Sequence, residues 1–180
     1  MSLPVRFRLS MIRVGAAALV AAAAVPATPA LAQMEGGPDA WKLMCTAQET
    51  AIRGCVMRSG KLLAFCIPKG QDFQPGDDPD APGTPPSVSY MQYRFGQVGA
   101  PELVYPARLA GSARRFQVNW FLPSRGAMTR ISFRRGSYTY RYSSLLIARG
   151  QGQGHSVTHG IGVWRDGRRL SFLSCSDHHP

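Results

Sequence analysis

Apolar and polar residues alternate with a period of two through much of the second half of the chain, as in strands buried on one face. Val88 to Phe95 sets Met91, Tyr93 and Phe95 on one side, and Leu103 to Tyr105 is a short strand stopped by Pro106. Arg115 to Leu122 places Phe116, Val118, Trp120 and Leu122 on one face and Arg115, Gln117 and Asn119 on the other; Phe121 breaks the alternation. Arg130–Arg134 and Ser137–Tyr142 flank Arg135-Gly136. With those two as the loop, Phe133 pairs with Tyr138 and Ile131 with Tyr140. Asp166-Gly167 is a strong type I′ signal and pairs Val163 with Leu170 and Ile161 with Phe172. In the first half, residues 52–58 and 61–68 form one more hairpin, while Trp41 to Ala51 fits either a short helix or a first strand. Seven or eight short strands result, with no helical period beyond residue 51 and no internal repeat. The expected fold is all-β, an antiparallel sandwich or small barrel.

Two stretches stand outside that pattern. Arg6, Arg8 and Arg13 precede an Ala-dominated apolar run over residues 14–25, then Pro26 and Pro29, then Ala30-Leu31-Ala32. This three-part arrangement reads as a helical secretory signal peptide over residues 1–32. Its apolar core is shorter than the roughly 20 residues that cross a bilayer, and no transmembrane span is expected in the mature chain. Residues 33–51 are a lead-in, and 52–180 form a single β domain. Within it, residues 70–87 hold five Pro, three Gly and four Asp, which predicts a long acidic loop.

Export sets the meaning of the cysteines. Cys45, Cys55, Cys66 and Cys175 are even in number, without a C-x-x-C pair or metal-ligand spacing, so two disulfides are expected and no metal. Three connectivities are open. If Gly60-Lys61 is the hairpin loop, Cys55 lies opposite Cys66; if Ser59-Gly60 is the loop, Cys55 faces Ala64 instead. The first register favours Cys55–Cys66, which leaves Cys45–Cys175 as a staple between the ends of the domain.

The chain carries 21 Lys+Arg against 10 Asp+Glu. Residues 103–180 hold twelve Arg, no Lys and two Asp, whereas residues 33–102 hold six basic and eight acidic residues. Arg forms planar bidentate contacts with carboxylate and phosphate and stacks on rings. On the alternating pattern Arg130, Arg134 and Arg141 share the solvent face opposite Ile131 and Tyr140. A sheet gains nothing from such like charges, so they are the candidate anion-binding residues. The alternative is a solubilising surface. Catalytic arrangements are missing: there is no G-x-S-x-G elbow, no phosphate-binding glycine loop and no carboxylate pair for glycosidic chemistry. His155 and His159 have the spacing of a helical metal pair, but four residues along a strand span about 13 Å. His178 and His179 lie at the C-terminus. The expectation is a non-catalytic, periplasmic or secreted module without a cofactor. It would bind an anionic envelope component such as lipid A phosphates, an acidic glycan or anionic lipid, and no nucleic acid.

Tyr93-Arg94-Phe95-Gly96 followed by Pro101-Glu102-Leu103-Val104-Tyr105-Pro106 resembles a segment of small exported proteins of proteobacteria whose activity is not assigned. Gly136-Ser137-Tyr138-Thr139-Tyr140, Gly162-Val163, Arg165-Asp166-Gly167 and Leu173-Ser174-Cys175 follow in the same order. That resemblance implies a secreted, disulfide-bonded β domain over residues 52–175 and carries no catalytic residues. A fainter likeness is to periplasmic lysozyme inhibitors. Arg135-Gly136-Ser137-Tyr138 only approximates their inhibitory loop, and a cationic chain would be repelled by cationic lysozymes. It leaves inhibition of a lysozyme-like or other envelope-targeting hydrolase as the alternative function.

Overall fold

The computed structural model describes residues 37, 39–73, 85–124, 126–149 and 154–176. The expectations for the signal peptide, for residues 74–84 of the acidic loop and for His178 and His179 lie outside the described residues. Among the described residues nine strands form two antiparallel sheets, each in sequence order. The first contains β1 (Glu49–Val56), β2 (Leu62–Pro68), β3 (Gln92–Gln97) and β4 (Ala100–Tyr105). The second contains β5 (Phe116–Phe121), β6 (Gly126–Arg135), β7 (Tyr138–Ala148), β8 (His155–Arg165) and β9 (Arg168–Ser174). The helical content among the described residues is two 3-10 turns, Ala40–Met44 and Ser112–Arg115. The architecture is therefore all-β and sandwich-like, with more strands than the seven or eight expected. β6, β7 and β8 run 10 or 11 residues, longer than the alternation indicates, because Ser, Thr and Gly positions interrupt the apolar pattern. The ambiguous stretch from Trp41 to Ala51 becomes both alternatives, a turn and then the start of β1.

The core between the sheets is aromatic. Phe65, Tyr93, Phe116, Phe133 and Tyr142 are all almost fully buried. Phe133 stacks between Tyr105, at 4.7 Å, and Tyr140, at 4.9 Å, and Tyr93 lies 5.3 Å from Phe65. Rings of this size dominate a small core because each buries so much surface. β2 is buried on both faces. Leu63, Phe65 and Ile67 enter the central core, and Leu62, Ala64 and Cys66 pack under Trp41 and Met44 of the first 3-10 turn.

A buried polar cluster fixes that turn. Arg94 of β3 donates to Glu49 at 2.8 Å, to the Met44 carbonyl at 2.6 Å and to Gln92 at 2.6 and 2.8 Å. The Thr46 amide donates to Glu49 at 2.7 Å, and the Gln92 side chain donates to the Pro106 carbonyl at 2.8 Å. Burial pushes the Glu49 carboxyl up, but the Thr46 and Arg94 hydrogen bonds and the Arg94 charge outweigh it. The carboxyl therefore titrates below its ordinary range.

The turns correct two expected registers and the disulfide pairing. Between β1 and β2 the loop is Arg58-Ser59-Gly60, three residues long, with Gly60 at a φ of +76° and the Met57 amide donating to the Lys61 carbonyl. Cys55 then faces Leu63, and Cys66 faces Ala51 beyond a bulge, so the expected Cys55–Cys66 and Cys45–Cys175 pairs do not form. Their side chains lie on opposite faces of the sheet: Cys66 joins Cys45 of the lead-in, and Cys55, inside the core, joins Cys175. Cys175 also bridges Met57, and the Ser176 amide donates to the Val56 carbonyl at 2.7 Å, tying the end of β9 to β1. Two disulfides suit an oxidising environment. Between β6 and β7 the loop is Gly136-Ser137, not Arg135-Gly136, so Phe133 pairs with Tyr140 and Ile131 with Tyr142.

Candidate anion-binding face

Ile131 and Phe133 of β6 enter the core, so Arg130, Ser132 and Arg134 face away from the first sheet. Tyr142 of β7 is buried, which places Arg141 on that same outer face. Arg141 lies opposite Ser132, Arg130 opposite Ser143 and Arg134 opposite Thr139. Arg141 is therefore a diagonal neighbour of both other arginines. Arg130 and Arg141 are half-buried, and Arg134 is exposed. The two-residue change of register leaves the faces intact, because side chains alternate with a period of two.

Aromatic rings hold the guanidinium groups. Arg130 lies over Phe121 at 5.7 Å, Arg141 over Trp164 at 4.8 Å and Arg169 over Phe172 at 5.9 Å. Phe121, which broke the alternation in the sequence, is on the outer face as the platform for Arg130. Phe172 arrives there through a β-bulge. The Asp166-Gly167 turn forms as expected, with both residues at positive φ, and pairs Arg165 with Arg168 and Trp164 with Arg169. The register then shifts past Leu170, so Val163 pairs with Ser171 and Ile161 with Leu173, not with Leu170 and Phe172. Phe172 lies opposite Gly162. The Trp164 ring occupies the space above Gly162: a Cβ there would come within 2.3 Å of the ring.

The face is electrostatically unbalanced. Among the described residues the ion pairs are Asp39–Lys42, Glu102–Lys61, Glu49–Arg94 and Asp166–Arg165, and none reaches Arg130, Arg134 or Arg141. The Nε atoms of Arg130 and Arg141 are buried without a hydrogen-bond partner among the described residues. Burial, and after it the adjacent Arg141 charge, lowers the Arg130 pKa, yet a guanidinium stays charged at neutral pH. Two partly desolvated cations side by side are arranged to attract phosphate or carboxylate.

Other candidate residues are dispersed. Arg115 ends the second 3-10 turn and does not share a strand with Gln117 and Asn119. Arg108, Arg114 and Arg149 are exposed outside the strands of the second sheet. His155 and His159 both sit on β8, the first exposed and the second buried. Among the described residues no three His, Cys, Asp or Glu side chains gather into a possible metal site, and no helix is long and apolar enough to cross a membrane. Arg135-Gly136-Ser137-Tyr138 forms the exposed tip joining β6 to β7. Between the sheets, Tyr93, Phe95, Leu103, Tyr140, Ile161 and Val163 line an open apolar cleft of about 300 Å³. Its carboxylate, Glu102, is held by Lys61 at 2.8 Å. No protein-family model, curated protein or solved structure matches the chain. The site therefore rests on its own geometry.

Proposed function

We propose that the protein is an exported, non-catalytic β module that binds phosphate or carboxylate groups of an anionic cell-envelope component. The contact is the outer face of the second sheet, with Arg130, Arg141 and Arg134 as its centre. The observation that carries this reading is the adjacent Arg130–Arg141 pair, whose buried Nε atoms have no hydrogen-bond partner among the described residues and which no described carboxylate neutralises. A sheet that served stability alone would gain by placing an acid or a neutral residue at one of these diagonal positions. The periplasm is the compartment in which a signal peptide, two disulfides and an anionic envelope ligand would meet.

Retention of the folded protein on immobilised lipopolysaccharide tests the reading. Binding is expected to weaken steeply as salt rises toward physiological strength, where the screening length falls to about 8 Å. Changing Arg130, Arg134 and Arg141 together to Gln should abolish retention, whereas changing Arg108, Arg114 and Arg149 to Gln should reduce it only modestly. Equal loss in both triples would mean that net charge alone acts. Absence of binding by the unaltered protein to any anionic surface would make the arginines solubilising.

A further inference from the structure

The outer face of the second sheet is basic over only part of its length. Met128 pairs with Phe121 on one side and Leu145 on the other, which makes one apolar row across β5, β6 and β7. Ile147, opposite Gly126, lies one row further toward the strand ends and is 40% exposed. In the other direction the next rows hold Arg130, then Arg141, then Arg134. Same-face rows are two residues apart, so the basic band begins about 7 Å behind the apolar row. The face is thus amphipathic along the strands, with exposed Ile147 and the half-buried Met128–Leu145 row at one end and guanidinium groups that no described carboxylate neutralises behind them.

We infer that this face docks on a lipid surface bearing phosphate headgroups. Ile147 and the Met128–Leu145 row enter the boundary between headgroups and acyl chains, while Arg130 and Arg141 engage the phosphates. Interfacial elements bury their apolar side about 5–10 Å into that boundary, which suits the spacing between the apolar row and Arg130. Charge selects this occupant. A second copy of the chain would bring one basic band against another. A soluble acidic polymer would neutralise the arginines but leave Ile147 in water. A phosphate-bearing lipid surface satisfies both ends together. The inference rests on the anion-binding reading above and adds the source of the anion.

The test compares co-sedimentation with mixed phosphatidylglycerol–phosphatidylcholine vesicles, and with pure phosphatidylcholine vesicles, against binding of a soluble polyuronate. The unaltered protein should bind the mixed vesicles and not the neutral ones. Changing Leu145 and Ile147 together to Ser should weaken vesicle binding at least about tenfold and leave polyuronate binding unchanged, which also shows that the variant is folded. Changing Arg130 and Arg141 to Gln should weaken both. Vesicle binding by the Ser variant equal to that of the unaltered protein would overturn the lipid inference while the anion reading stood. Polyuronate binding without vesicle binding would do the same. Binding to neither ligand would overturn both.

Discussion

Glu49 and Arg94 stand 45 residues apart in the sequence and 2.8 Å apart in the protein. Nothing in the local alternation marks either as buried, because a buried ion pair is made by tertiary approach and not by periodicity. The arginines of the outer face were legible for the opposite reason: strand parity alone places Arg130, Arg134 and Arg141 on one side. Their stacking on Phe121 and Trp164 was not legible, since it depends on which strands are neighbours. The Glu49 cluster makes a pH prediction. Its carboxyl titrates lower in the folded protein than in the unfolded chain, where it is near the ordinary value of about 4.3. The stabilisation is then complete above that value and is lost as pH falls through the lower folded pKa. Glu49→Gln should cost about 2 kcal/mol near neutral pH. The difference between the two proteins in urea unfolding should shrink as pH is lowered below about 4. A difference that stayed constant down to low pH would show that the carboxylate charge is not what holds Arg94.

Hairpins were easier to find than to register. Alternation and turn residues located the β1–β2, β6–β7 and β8–β9 hairpins, but each register depended on one or two residues at the turn. Gly60 makes a three-residue loop, Gly136-Ser137 displaces Arg135-Gly136, and Leu170 is an extra residue that no alternation announces. The β8–β9 bulge matters most for the candidate site, because it turns Phe172 onto the outer face and Leu173 toward the cleft. The adjoining strand allows this through Gly162, over which the Trp164 ring lies. Gly162→Ala puts a methyl where the ring sits, and either Trp164 or the strand must move. The expected cost is about 1–3 kcal/mol, the usual range for overpacking. Trp164 would also lose its place beside Arg141, so retention on lipopolysaccharide should fall together with a change in near-ultraviolet circular dichroism. Full retention with altered dichroism would separate the Trp164 platform from anion binding.

The whole domain is held by two staples of different reach. Cys45–Cys66 closes 21 residues and pins the first 3-10 turn onto β2; Cys55–Cys175 closes 120 residues and joins β1 to the end of β9, hence one sheet to the other. Neither pair follows from spacing, since four cysteines allow three connectivities and the discriminating fact is the face on which each lies. In the chain-entropy view, loops of these lengths restrict the unfolded chain by about 3 and about 5 kcal/mol respectively. Replacing Cys55 and Cys175 by Ser should therefore lower the urea midpoint more than replacing Cys45 and Cys66. The two losses should also differ in kind. The long staple anchors β9, which carries Arg169 and Phe172 and borders the Trp164 strand, whereas the short one lies on the far side of the first sheet. Loss of Cys55–Cys175 is expected to weaken retention on lipopolysaccharide under conditions where the protein is still folded, and loss of Cys45–Cys66 to leave retention unchanged. Equal binding by both variants, with unequal stability, would mean that the basic face is held by β6 and β7 alone and owes nothing to the closure of the sandwich.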